Sequence, residues 1–294
     1  MTLVLCTFFL IAVGSGSAEN NEQKELTQEQ VEKEEKKETE TTVEQKPEKV
    51  TIEEQVLLEE DGLRITAKEL TDSIMGKGVK LLIENDGSKD VGIGVDALIV
   101  NNYMITDLFS TTVAAGKKAN ETLELYSSQL EAAGIENIGQ IEIYMHTFDP
   151  ETYMTETKFD KITIQTSAFP QMDVVAMDDG IELLNQDGVR IVGKYVNDDS
   201  FWGKAILLYL ENNTGKNIGV TCDDMSINGF MVTPVFSATI YDGKMSIDEI
   251  TLFSSELEEN GITEVEEVEL KFRIYDADSY NTIFETDPII FQTK

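Results

Sequence analysis

Ser127-Ser128-Gln129-Leu130-Glu131-Ala132-Ala133-Gly134-Ile135 returns 127 residues later as Ser254-Ser255-Glu256-Leu257-Glu258-Glu259-Asn260-Gly261-Ile262. The correspondence runs outward from there without a gap. Between residues 84–167 and 211–294, 28 of 84 positions are identical. The shared landmarks include Asn85/Asn212, Asn101/Asn228, Phe109-Ser110/Phe236-Ser237, Gly116-Lys117/Gly243-Lys244, Tyr153/Tyr280 and Gln165-Thr166/Gln292-Thr293. One-third identity without a gap means that a single domain was duplicated and that both copies kept its topology. Further upstream, Asp61-Gly62-Leu63-Arg64-Ile65 answers Asp187-Gly188-Val189-Arg190-Ile191 at an offset of 126. One residue was therefore gained or lost near positions 70–76.

Inside one copy the apolar residues alternate with a period of two, the signature of half-buried strands. Residues 268–276 show it best: Val268, Leu270, Phe272 and Ile274 point one way, Glu269, Lys271, Arg273 and Tyr275 the other. Denser apolar runs at 79–83 and 205–210 suit a central strand. Asn101-Asn102 and Asn228-Gly229 lie between apolar flanks and favour a tight hairpin, because such residues tolerate positive φ. Ser128 with Glu131, and Ser255 with Glu258, spell a capping box, and Gly134 and Gly261 stand where a helix would stop. Each copy thus predicts seven or eight short strands and one helix of a turn or two, an antiparallel sandwich or barrel.

The strands, the Asn-Gly-Phe-Met stretch at 228–231 with its counterpart at 101–104, the two Phe-Ser pairs and the Ser-Ser-x-Leu-Glu-x-x-Gly-Ile motif resemble a known group. It is the immunoglobulin-like (telokin-like) extracellular β-sandwich domains of uncharacterised Gram-positive surface proteins and lipoproteins. The resemblance covers each repeat and implies a non-enzymatic sandwich. The expected class is all-β, with two tandem immunoglobulin-like antiparallel β-sandwich domains, each with one short helix, preceded by a disordered acidic linker. Residues 56–167 form the first repeat, 168–173 (with Pro170) a hinge, and 174–294 the second repeat.

The N-terminal segment reads as an address. Residues 3–13 are almost wholly apolar, and Gly16 and Ala18 have the small side chains that a signal peptidase requires at −3 and −1. The run is shorter than the roughly 20 residues that cross a bilayer. No Lys or Arg precedes it, so residues 1–18 read as a signal peptide or a truncated membrane segment. Cys6, beside Leu5 and Phe8-Phe9, does not suit a lipid-bearing cysteine. Residues 19–55, built from Glu, Lys, Gln, Thr and Asn, form a disordered spacer that cannot bury enough apolar surface to offset its ordering entropy. The protein is expected outside the cell, secreted or displayed on a bacterial surface.

Fifty-six acidic against 23 basic residues give a net charge of −33, spread over the spacer and both copies. Such a surface repels phosphate backbones and anionic headgroups. Nucleic acid is excluded as a partner, and membrane contact is limited to an N-terminal anchor. Cys222 falls at the place of Val95 on an inward row, a small core hydrophobe rather than a nucleophile. The single histidine, His146, falls on an outward strand row where its duplicate has Arg273, so histidine-dependent chemistry is not shared by the copies. Asp276-Ala277-Asp278-Ser279 opens like a calcium loop, but Asn281 and Asp287 stand at its sixth and twelfth positions, which need Gly and Glu. No catalytic residue, metal ligand or cofactor is assigned. The ligand-binding candidates are aromatics, Tyr153 with Tyr280, Phe148 with Tyr275, and Trp202, which could stack on sugar rings or anchor a protein contact. The partner is an unknown extracellular protein or glycan. A carbohydrate-binding accessory module and a carboxylate-dependent hydrolase stand as alternatives.

Overall fold

The computed structural model describes residues 49–106, 108–200 and 203–293, without the side chains of Asp199 and Ser200. The expected signal segment and nearly all of the spacer lie outside the described residues. In the first copy the order is β1 (Gln55–Glu60), β2 (Leu63–Ser73), β3 (Gly76–Asn85), β4 (Val91–Val100), β5 (Tyr103–Ile105), β6 (Ser110–Val113) and β7 (Lys117–Tyr126). Helix α1 (Ser127–Ala132), β8 (Gln140–Phe148), β9 (Thr155–Lys158) and β10 (Ile162–Gln165) complete it. The second copy repeats the order with β11 (Ile181–Gln186), β12 (Val189–Ser200), β13 (Gly203–Asn212), β14 (Ile218–Ile227), β15 (Phe230–Met231), β16 (Ser237–Ile240) and β17 (Lys244–Phe253). It ends with α2 (Ser254–Glu259), β18 (Glu267–Asp276), β19 (Thr282–Glu285) and β20 (Ile289–Gln292). The described residues are all-β apart from two short α-helices and one 3-10 turn, and none of their sheets closes into a barrel. Each copy has more segments than the periodicity predicts, because short edge pieces pair separately with the long strands β4, β8, β14 and β18.

The strand faces follow the alternation. Val268, Leu270, Phe272 and Ile274 are buried to the last atom, while their neighbours Glu269, Lys271 and Arg273 stay partly exposed. Asn101 and Asn102 (φ 46° and 69°) and Asn228 and Gly229 (φ 50° and 82°) all take left-handed backbone between paired strands. The landmark asparagines are buried polar pins. Asn85 Nδ2 donates to the carbonyls of Lys89 (2.8 Å) and Val113 (2.9 Å); Asn212 Nδ2 donates to those of Lys216 (2.7 Å) and Ile240 (2.8 Å). Each ties a turn to a neighbouring strand while leaving its own amide satisfied. The extra residue of the second copy is a β-bulge. Register slips between Asn197 and Ser200 in β12, where β2 pairs Thr71, Asp72 and Ser73 with β3 without a slip.

The capping boxes do not form. Both helices continue directly from a strand, with Tyr126 and Phe253 at the N-cap and no side-chain capping bond. The helix therefore starts two positions too early for Ser128 to cap it. The Ser127 amide donates instead to the Met75 carbonyl at 2.9 Å. The helix residue Gln129, through Oε1, takes the Thr106 amide (2.9 Å), and the Glu256 carboxylate takes the Thr233 amide (3.0 Å). The C-terminal signals hold: Gly134 and Gly261 (φ 66° and 68°) close both helices, with Ile135 and Ile262 amides returning 2.8 Å to Leu130 and Leu257.

Each copy has its own core, and the two share one sheet. A four-stranded sheet, β1-β2-β3-β7, and a six-stranded sheet built on β15-β14-β18-β19 each belong to one copy. A ten-stranded sheet joins the copies in the order β10-β8-β4-β5-β17-β13-β12-β11, with β6 on β4 and β9 on β8, so that six strands come from the first copy and four from the second. The seam is a parallel contact of β5 with β17, where Met245 pairs with Tyr103 and its amide donates 3.0 Å to the Asn102 carbonyl. Val192, Tyr209 and Met245 of the second copy are buried in the core of the first, and Met104 packs on the core of the second. Across the seam Lys244 Nζ donates to Glu142 Oε1 at 2.8 Å, both side chains almost wholly buried. Burial pushes the Glu142 carboxyl up, but Lys244 and then Lys161 outweigh it and hold the group below its ordinary range. Tyr103 Oη takes the Met177 amide (2.9 Å) and donates to the Val175 carbonyl (2.7 Å), fixing the connecting segment. The residues read as a hinge include a 3-10 turn, Phe169–Gln171, followed by Met172 against Gly139.

Candidate functional site

The ends of β8 and β18 and the loops that follow them carry four of the five candidate aromatics, and they are built alike. Each begins with an aspartate whose side chain folds back on the chain. Asp149 Oδ1 accepts the amides of Glu151 (2.8 Å) and Thr152 (3.1 Å); Asp276 Oδ1 accepts those of Asp278 (3.2 Å) and Ser279 (3.0 Å). These bonds hold both carboxyls below the ordinary carboxylate range, with Lys216 assisting at Asp276. Both acids are therefore ionised and engaged by their own loops. Asp276 serves a polar turn.

The turn delivers a tyrosine into an uncommon backbone. Tyr153 and Tyr280 have φ of 58° and 60°, and their amides reach back to the carbonyls of Asp149 (2.7 Å) and Asp276 (2.8 Å). Left-handed backbone costs a residue with a Cβ about 1–2 kcal/mol. Each ring then lies over the last aromatic of the preceding strand. Tyr153 stacks on Phe148 and Tyr280 on Tyr275, with centroids 6.0 and 6.1 Å apart and 19° between planes in both. The outer tyrosines are 78% and 75% exposed, so these rings present apolar surface to water.

Beneath each stack is a glycine. Gly92 pairs across the sheet with Phe148 and Gly219 with Tyr275. A Cβ at Gly92 would stand 2.3 Å from the Phe148 ring, and one at Gly219 2.0 Å from Tyr275. The aromatic ring thus fills the place of the missing side chain, glycine covered by its cross-strand neighbour. A nitrogenous group flanks the inner ring on its own strand: Arg273 Cζ lies 5.0 Å from the Tyr275 centroid, and the His146 ring 6.0 Å from Phe148. His146 is less solvated than its outward row suggests. Its Nδ1 stands 2.9 Å from Asp96 Oδ1, a distance fit for an ion pair when the imidazole is protonated, without the angle of a hydrogen bond. Arg273 and Asp223 repeat that pairing at 3.9 Å.

The structure therefore brings the candidates together two by two, Phe148 with Tyr153 and Tyr275 with Tyr280. Trp202 lies outside the described residues. Sequence reading passed over Gly92 and Gly219, although a glycine retained mid-strand in both copies is itself a signal of close approach. It also passed over the Asp96/Asp223 identity. Cys222 sits in the second core, and burial, then the charge of Asp223, pushes its thiol up to about 12, so it is not a nucleophile.

The first copy adds an open groove of about 610 Å3 beside its aromatic loop, with Asp61, Asp90, Asp149, Glu151 and Glu156 against Lys89. Its field repels anions and suits hydroxyls or cationic groups. Asp149, held ionised, is the opposite of the carboxyl with raised pKa that a glycosidase needs as proton donor.

No family model matches the chain, and no curated protein matches it. Among solved structures it is similar to the exo-chitosanase CsxA of Amycolatopsis orientalis, at 12% identity and a TM-score of 0.23, covering 79% of this chain. It spans only 26% of that enzyme's length. The YadV chaperone aligns at 12% identity and a TM-score of 0.24, covering 73% of this chain and 91% of its own. A protein of unknown function from Porphyromonas gingivalis W83 aligns at 11% and 0.19, covering 74% and 89%. Scores this low relate β-rich chains and carry nothing about activity.

Proposed function

We propose that this is an exported, non-catalytic binding protein whose duplicated immunoglobulin-like modules hold two equivalent aromatic loops out to an extracellular partner. The observation that carries the reading is the pair Tyr153 and Tyr280. Each is exposed, each sits in costly left-handed backbone, and each rests on a second ring above a glycine. A side chain maintained against backbone cost, twice, and left in water is better accounted for by contact with a ligand than by stability. The resemblance to extracellular sandwich domains and the apolar leader at 3–13 support an address outside the cell. A glycan is the partner class favoured by flat tyrosine faces beside an acidic, hydroxyl-compatible groove, and a protein surface is the other. A hydrolase reading draws no support from Asp149 or Asp276, both committed to their turns.

The test is binding by the mature chain to a glycan array and to native cell-surface extract, wild type against a Tyr153→Gly, Tyr280→Gly double variant. Glycine relieves the left-handed backbone, so the fold should persist while binding disappears. Single variants should bind a multivalent surface at least tenfold more weakly, because two linked sites act by avidity. A partner retained with equal affinity by the double variant would overturn the proposal.

A further inference from the structure

Each copy buries one face at the seam and leaves the equivalent of its partner's face open. In the first copy the β4–β5 hairpin is covered: Tyr103 is 1% exposed, Met104 packs on the other core, and Glu142 pairs with Lys244. The gapless alignment puts Phe230, Met231 and Glu269 at those three places in the second copy. There Phe230 and Met231 are 48% and 66% exposed, and Glu269 is partly so. The reverse holds for the receiving edge. The outer edge of β17 is taken by β5, whereas β7, its counterpart, ends the four-stranded sheet among the described residues, with exposed Lys117 where Lys244 stands.

We propose that the chain associates head to tail with a second copy of itself, the β14–β15 hairpin of one chain lying along the start of β7 of the next. The contact repeats the operation that already joins the two modules. It sets Glu269 against Lys117 as Glu142 is set against Lys244. It also brings the Lys118 amide to the Gly229 carbonyl, as the Met245 amide meets that of Asn102. It would join the six-stranded sheet of one chain to the four-stranded sheet of the next, making a continuous sheet like the central one. A heterologous contact of this kind leaves a free hairpin at one end and a free β7 edge at the other, and extends into a row wherever its rotation does not close a ring.

The receiving face also sets the strength. Lys118 and Asn120 stand where the internal seam has Met245 and Ile247. Lysine on an exposed edge guards against indiscriminate pairing, and both partners are acidic. Association is therefore weaker than the internal seam and reversible. It is favoured by crowding on a surface, and by moderate salt, which screens the long-range repulsion more than a contact pair.

Sedimentation velocity of the mature chain over a concentration series tests this. The wild type should pass from monomer to dimer and longer species, while Phe230→Asp and Lys117→Glu variants stay monomeric with unchanged melting temperatures. Mixing those two variants should give dimers and nothing longer, because one retains an intact β7 edge and the other an intact hairpin. A wild type that remains monomeric throughout, a Lys117→Glu variant that assembles like the wild type, or a mixture that stays monomeric would each overturn the proposal. Neither substitution touches the aromatic loops, so failure here leaves the binding reading in place.

Discussion

Tyr153 and Tyr280 set two small energies against each other. The left-handed backbone costs about 1–2 kcal/mol, and a stacked aromatic pair returns about 0.5–1.5 kcal/mol. Tyr280→Gly removes both and should shift stability by less than about 1 kcal/mol, whereas Tyr280→Ala keeps the strain, loses the stack and should cost about 1 kcal/mol. Urea midpoints for the two variants decide it, and equal destabilisation would mean that the tyrosine is a structural residue. Cys222 offers a plainer check. With its thiol buried and pushed up to about 12, it should resist iodoacetamide at pH 8 in the native protein and react after denaturation. The sequence made both kinds of residue visible for the same reason: comparison with a duplicate shows whether a place wants volume, as at Val95/Cys222, or a particular ring, as at Tyr153/Tyr280.

At the level of strands and loops, Gly92 and Gly219 decide whether the stack can exist. Gly219→Ala drives a methyl into the Tyr275 ring and should cost about 1–3 kcal/mol as an overpacked site. It should also change the near-ultraviolet tyrosine signal, which a merely weakened strand would leave alone. Strand alternation, the Asn-Gly hairpin and the glycine stops were legible because each is local chemistry. The capping box failed because it is local as well: Ser128 and Glu131 have the right spacing, but tertiary structure runs β7 straight into the helix and uses the following side chains to hold a loop. The glycine–aromatic pairs needed strand register, which no single stretch of sequence carries.

For the whole molecule, the seam was hidden from the sequence because gapless repetition says nothing about which faces the copies turn to each other. Its signal lay in places where the duplicates disagree, such as Met245 against Lys118 and Ile247 against Asn120. Glu142 gives the seam a pH dependence. Because its carboxyl is held below the ordinary range, the pair's contribution is complete above the unfolded carboxylate value and is lost as pH falls through the lower native value. Glu142→Gln leaves the buried Lys244 ammonium with neutral acceptors only, among them Asn102 Oδ1 at 3.1 Å, and should cost roughly 1–3 kcal/mol near neutrality. The gap in melting temperature from wild type should close on acidification, and a gap that did not change with pH would contradict the assignment.

Native-state hydrogen exchange on the dilute monomer reads the fused pair of copies most directly, because the molecule supplies its own control. The Met245 amide crosses the seam to Asn102, whereas Lys118 holds the same place on β7, whose outer edge pairs with no strand among the described residues. Met245 should be protected as strongly as the core strand β13 and Lys118 should exchange quickly. Exchange at Met245 as fast as at Lys118 would mean that the two copies are separate bodies on a string.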